Sequence, residues 1–167
     1  PATQHCGSCT ACIDICPTQA IVEPYMLDAR KCIAYLTIEY KGIIPEELRR
    51  GIGNRVFGCD DCQLICPWNS FAKKATIEDF NPRHGLDQIN LLDLWLWDEA
   101  TFLINTEGSP IRRTGYQSFM RNIAIGLGNA PFSHEVIETL KQTRDSHDEI
   151  VQVHIDWAIQ EQVTKSN

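Results

Sequence analysis

The placement of eight cysteines constrains this chain more than any other feature of it. Cys6, Cys9, Cys12 and Cys16 follow one another at gaps of two, two and three residues and are closed by Pro17. Cys59, Cys62 and Cys66, closed by Pro67, repeat the end of that run without its leading member. Cys32 supplies the missing sulfur if residues 33–58 are an insertion of 26. Spacing this close lets a short loop wrap three sulfurs around one centre.

The pattern C-x2-C-x2-C-x3-C-P is the run that bacterial ferredoxins use for 4Fe-4S cubes, with the fourth Cys of each run going to the other cluster. The expected sets are therefore crossed: Cys6, Cys9, Cys12 and Cys66 on one cube, and Cys16, Cys32, Cys59 and Cys62 on the second. Pro17 suits the first turn of a short helix through Thr18, Gln19, Ala20 and Ile21. Structural zinc also takes four thiolates, although its usual C-x2-C pairs do not call for two runs that each end in Cys-Pro. Disulfides suit neither a C-x2-C-x2-C trio, whose members would all need distant partners, nor a reducing compartment.

Cysteine is about 5% of the 167 residues, below the roughly 8–10% of a small disulfide scaffold. A net charge of −7 excludes a globally basic grip on nucleic acid, so any such contact must be a local patch. With about −2 on each oxidised cube and its thiolates, the formal charge moves to about −11. No run approaches the roughly 18 apolar residues of a membrane-spanning helix, and Pro1 to His5 have no leader character.

The chain divides near residue 80: residues 1–80 hold every cysteine and 81–167 hold none, with a turn-rich junction at Asn81-Pro82-Arg83-His84-Gly85. Within the insertion, Tyr35 to Tyr40 alternates like a short strand, and Ile44-Pro45 to Gly51 reads as a helix with acids at its start and Gly at its stop. That excursion is a candidate surface for a cofactor or substrate, or else a surface elaboration. In the second half, Leu91, Leu92, Leu94 and Trp95 begin one helix. Phe119, Met120, Ile123 and Leu127 form a face of a second, closed by Gly128-Asn129. Pro131 and Ser133 open a third around Val136, Ile137 and Leu140, and Ile150, Val153, Trp157 and Ala158 stripe a fourth. The fold class expected is α+β, mostly α: a ferredoxin-like domain (1–80) followed by a small HEAT-like helical domain (81–167).

Gly108 to Tyr116, with Arg112 and Arg113, and Arg121 beyond it, is the concentrated positive patch of an otherwise acidic half. Arg suits bidentate phosphate contact; the competing reading pairs these arginines with Glu107 or Glu99. The five histidines form no ligand spacing, and Trp95, Trp97 and Trp157 fit helix packing.

Taken together, Cys6 to Cys16, Cys32-Ile-Ala-Tyr-Leu-Thr-Ile-Glu39, Phe57-Gly-Cys-Asp-Asp-Cys62, Cys66-Pro-Trp-Asn69 and Arg121 to Asn129 make the chain resemble epoxyqueuosine reductase over nearly its full length. The resemblance implies a cytoplasmic oxidoreductase that converts epoxyqueuosine to queuosine in tRNA with cobalamin and two 4Fe-4S clusters. It also implies a larger amino-terminal domain, expected to hold the cobalamin and the catalytic acid and not represented here, so this piece is expected to be inactive alone. By the same resemblance, Ile33, Ala34, Tyr35 and Thr37 become the wall facing cobalamin, and Arg112, Arg113, Tyr116 and Arg121 become tRNA contacts. Ala34 stands where the family commonly has Ser. Electrons are expected to enter at the Cys6 cluster and leave from the Cys32 cluster. Implied partners are tRNA and a low-potential electron donor, with no membrane and a monomeric state. A stand-alone two-cluster ferredoxin-type carrier with a helical docking module is the alternative, and a helical interaction protein with redox-silent metal is a third.

Overall fold

The computed structural model describes residues 6–78 and 81–166. Helix α1 (Ala11–Ile15) leads into a two-stranded antiparallel hairpin of β1 (Ile21–Glu23) and β2 (Met26–Leu27), turned at Tyr25 with φ of 65°. Helices α2 (Ile33–Ile38), α3 (Glu46–Ile52) and α4 (Asp61–Leu64) follow, then a 3-10 turn at Pro67–Phe71. After an irregular stretch come α5 (Leu91–Trp95), α6 (Glu99–Asn105), a 3-10 turn at Pro110–Thr114, α7 (Tyr116–Asn129), α8 (His134–Thr143) and α9 (Glu149–Lys165). The protein is mostly helical, and no helix among the described residues is long and apolar enough to cross a membrane.

Four local expectations are corrected. Residues 35–40, read as a strand, lie in and just beyond α2, because Ile33, Leu36 and Thr37 put one helical face into the core and the Thr37 hydroxyl donates back to the Ile33 carbonyl at 2.7 Å. Residues 18–21 are not helical: Gln19 takes φ of 51°, and the Ala20 N–H donates to Cys16 Sγ at 3.2 Å, so the chain wraps the sulfur and then enters β1. Helix α3 runs past Gly51 and stops at Gly53, whose φ of 63° ends it. The stripe of α9 is Val151, Ile155 and Ala158 with Trp157 beside them, while Ile150 and Val153 are only half-buried. Helix α6 was not anticipated at all.

Helix α7 organises the core. Its residues Ser118 to Gly128 are all buried, and it packs most extensively along α9, with α5, α2 and α3 against its remaining faces. Gly128 is required there, since a Cβ at that position would lie 2.6 Å from the Trp157 ring and 2.9 Å from Ala158 Cα. The core draws Ile33, Leu36, Ile44 and Ile52 from the excursion together with Trp95, Phe102, Phe119, Ile123 and Ile155 from the helical half. The excursion between Cys32 and Cys59 therefore belongs, by packing, with the helices that follow residue 80. His154 Nε2 accepts from the Ile44 N–H at 3.2 Å, and Asn129 Nδ2 donates to the Arg49 and Gly53 carbonyls. His147 packs beside Trp95 at 4.8 Å between ring centroids, and His134 lies against Phe132. His5 lies outside the described residues.

Candidate metal centre

The two cysteine runs fold alike. Each places a one-turn helix inside the run, α1 around Cys12 and α4 around Cys62, and the two helices pack against one another. Each run then ends on a Cys in extended backbone before its proline, Cys16 at φ −66°, ψ 111° and Cys66 at φ −64°, ψ 125°. A residue before proline is driven to that region by the ring. Cys32 adopts nearly the same angles, φ −68° and ψ 123°, at the start of α2.

Two neighbouring cavities result. One, of about 470 Å3, is lined by Cys6, Cys9, Cys12 and Cys66 with Pro67, Trp68 and Phe71. The other, of about 370 Å3, is lined by five cysteines, Cys12, Cys16, Cys32, Cys59 and Cys62, with Ala20, Tyr25, Met26, Leu27 and Ile33, so that Cys12 faces both cavities. Each cavity thus draws cysteines from both runs: Cys66 joins Cys6, Cys9 and Cys12 at the first, and Cys12 and Cys16 join Cys32, Cys59 and Cys62 at the second. All eight cysteines are free thiols.

The donor set fits iron-sulfur clusters. Only sulfur among the usual ligand atoms faces the first cavity, and Asp61 is the one carboxylate at the second, where its side chain is engaged by Arg55. Soft thiolate donors in an apolar lining select such clusters or zinc. Tetrahedral Zn–S bonds of about 2.3 Å would require sulfurs about 4 Å apart. Among the described residues, however, no three His, Cys, Asp or Glu side chains converge enough to hold a metal ion.

The thiols differ in environment. Burial would raise the Cys16 thiol, but hydrogen bonds from the Ala20 and Thr18 backbone and the Thr18 side chain outweigh it and hold Cys16 below the ordinary thiol range. Burial pushes Cys59 up, and it pushes Cys62 up with Cys59 and Cys32 as added like-charged neighbours.

The residues assigned to cobalamin divide. Thr37 is buried in the core and is corrected, since a side chain turned inward cannot form an outer wall, and Ile33 is buried with its only open side toward the second thiol cavity. Ala34 is half-buried beside a groove of about 480 Å3 that also carries Phe57, Cys59 and Asp60, and Tyr35 is exposed.

The arginines divide as well. Arg112 and Arg113 lie on the exposed 3-10 turn, where Arg113 meets Glu39 at 2.7 Å, and not Glu107 or Glu99. Lys41 Nζ pins the turn by donating to the Thr114 carbonyl at 2.6 Å and to that of Arg113. Tyr116 is half-buried with its hydroxyl donating to the Trp97 carbonyl at 2.8 Å. Arg121 is corrected as an RNA contact. It is fully buried, its guanidinium donates to the Leu36, Tyr40 and Gly42 carbonyls, and burial pulls its pKa down to about 10. No local pattern separated that role from a surface one, because Gln117, Ser118, Arg121 and Asn122 share one polar face of the helix.

Comparison with known proteins agrees with this geometry. Residues 5–69 match the family model of a 4Fe-4S double cluster binding domain. The chain is 60% identical over 159 residues to an epoxyqueuosine reductase of Xanthomonas campestris pv. campestris, covering 95% of this chain and 45% of that protein. It is 52% identical to that of Escherichia coli, covering 100% and 44%. Among solved structures, epoxyqueuosine reductase from Streptococcus thermophilus superposes with a TM-score of 0.84 at 26% identity, over 99% of this chain and 44% of that one. Another, an epoxyqueuosine reductase with a tRNA-Tyr epoxyqueuosine-modified stem loop, gives 0.74 at 26% identity, over 98% and 52%. The resemblance read from the sequence thus holds along the whole chain, which spans less than half the length of the curated relatives it matches.

Proposed function

We propose that this chain is the electron-relay and tRNA-contacting portion of an epoxyqueuosine reductase, an oxidoreductase of the cytoplasm. The observation that carries the reading is the pair of adjacent thiol-lined cavities, each drawing cysteines from both runs. When bound, two 4Fe-4S clusters supply one-electron transfer. This chain's residues then have definite tasks. Cys6, Cys9, Cys12 and Cys66 hold one cluster, and Cys16, Cys32, Cys59 and Cys62 hold the second. Trp68 and Phe71 shield the first cage from water, and Tyr25, Met26 and Leu27 shield the second. For cobalamin the chain offers the edge at Ala34 and Tyr35, too little surface to hold it unaided, so most of that site would come from elsewhere. The packing of α5, α7, α8 and α9 supports a HEAT-like unit.

Arg112 and Arg113 remain the phosphate contacts, with Tyr116 behind them. The surface ion pair of Arg113 with Glu39 is weak enough to exchange for phosphate, exposed pairs being worth about 0–1 kcal/mol. The partners are thus tRNA and a low-potential electron donor, and the chain acts as a monomer.

Anaerobic isolation tests the relay: about eight irons and eight sulfides per chain are expected, with paramagnetic resonance signals on reduction, and colourless protein loaded with zinc would overturn it. For the RNA contact, replacing Arg112 and Arg113 together by Ala should flatten the salt dependence of tRNA binding by about two units of log–log slope. Unchanged affinity and slope would remove the patch from the proposal.

A further inference from the structure

Three fully buried polar side chains have no part in holding sulfur or RNA: Thr37, Arg121 and Asn122. Burying such groups is costly unless each is satisfied, and here all are. Arg121 Nη2 donates to the Leu36 carbonyl at 2.7 Å, and Nη1 donates to those of Tyr40 and Gly42 at 2.8 Å. Asn122 Nδ2 donates to the Thr37 and Val56 carbonyls, both at 2.8 Å, and its Oδ1 accepts from Arg121 Nε and Nη2, which fixes how the amide points. The Thr37 hydroxyl donates to the Ile33 carbonyl and accepts from the Gly58 N–H at 3.0 Å.

The backbone partners of this network outside the three residues are Ile33, Leu36, Tyr40, Gly42, Val56 and Gly58. They flank Cys32 at one end of the 26-residue excursion and Cys59 at the other. Helix α2 starts at Cys32, so fixing its far end fixes the direction of its first residue. Gly58, at φ of 76°, delivers the chain to Cys59. An excursion of this length would otherwise leave the two sulfurs free to drift, since closing a loop costs entropy that local contacts must offset. Among the described residues, the hydrogen bonds of the network reach no residue of 6–16, and in the second run they stop at Gly58, next to Cys59 and eight residues before Cys66.

We propose that Thr37, Arg121 and Asn122 are positioning residues for the cluster held by Cys16, Cys32, Cys59 and Cys62, with α7 serving as the clamp that closes the interrupted cysteine run. This rests on the ligand sets proposed above and goes beyond them by making the second cluster depend on the helical half while the first does not. Outer partners of metal ligands commonly change affinity by about 10–100-fold when removed.

The test uses anaerobically prepared protein carrying Thr37→Val, which keeps the shape and deletes the hydroxyl, Thr37→Ser, which restores it, and Asn122→Ala in parallel. In Thr37→Val and Asn122→Ala, about half of the iron should be lost to a ferrous chelator about tenfold faster than in the unmodified protein. One of two reduced-state resonance signals should shift in midpoint potential while the other stays, and Thr37→Ser should return both readouts. Iron loss that is unchanged, equal from both sites, or accompanied by a general loss of helical circular dichroism would overturn the positioning role alone. Unmodified protein that takes up no iron would overturn the ligand sets beneath it as well.

Discussion

The stretches around the cages and the helical half are held together by different means. In residues 6–32 and 57–78 the sole buried hydrophobic side chain is Ala20, whereas Ile33 to Ile52 and Leu94 to Ala158 supply all the others among the described residues. Tyr25, Trp68 and Phe71, large aromatic groups on the cavity walls, stand 55–75% exposed. They rim the cavities without filling a core. A chain segment with so little apolar burial cannot offset its own ordering entropy, so its order has to come from what the thiols bind. The excursion shows that membership follows packing and not sequence: it begins and ends at cage cysteines yet rests on α7.

Removing iron should expose this contrast most fully. Chelation under anaerobic conditions is expected to leave amides of residues 9–27 and 60–66 exchanging with solvent at nearly unfolded rates, while those of α7 and α9 keep their protection. Hydrogen exchange read segment by segment checks this. Equal loss of protection in both regions would mean that the molecule is one cooperative unit and would break the comparison.

Truncating one aromatic in each region sharpens it. Phe119 is buried with its ring centroid 4.9 Å from that of Phe102 and 6.1 Å from that of Trp97, so Phe119→Ala should cost about 3–5 kcal/mol in urea unfolding followed by helical signal. Phe71 is 75% exposed, and Phe71→Ala should change that transition by about 0.5 kcal/mol or less. A comparable cost at both positions would show that the cage rim contributes to the apolar core after all.

The regions also differ in how legible they were. The double-cluster character could be read from spacing, because a cluster ligated by a short loop leaves its intervals in the sequence. The helices α5, α7, α8 and α9 could be read from apolar periodicity, and the start of α8 from Ser133, whose side chain accepts the Val136 N–H. What could not be read was long-range. Residues 35–40 alternate like a strand, yet α7 lies over them and favours the helical face. Arg121 looked like a surface cation because its partners are backbone carbonyls some 80 residues away, which no local pattern announces.

A pH-dependent effect concerns the seam where the excursion meets α9. His154 is fully buried, with Nε2 accepting from the Ile44 N–H and Nδ1–H donating to the Ile150 carbonyl, so the ring is the neutral tautomer. Burial, with Arg49 and Arg121 repelling added charge, lowers its pKa from 6.5 to about 4. In the unfolded chain the ring protonates near 6.5, so between there and about 4 the unfolded state binds the extra proton and is favoured. The seam's stability is therefore full above pH 6.5 and falls as the solution is acidified, by at most about 3 kcal/mol on reaching pH 4. Unfolding free energies of the unmodified protein and of His154→Gln at pH 7 and pH 5 isolate this contribution, because carboxylate titrations common to both cancel in the difference. The variant should lose the steeper part of the pH dependence. Parallel slopes would mean that the ring is reached by water and that the excursion is held to the helices by apolar contact alone.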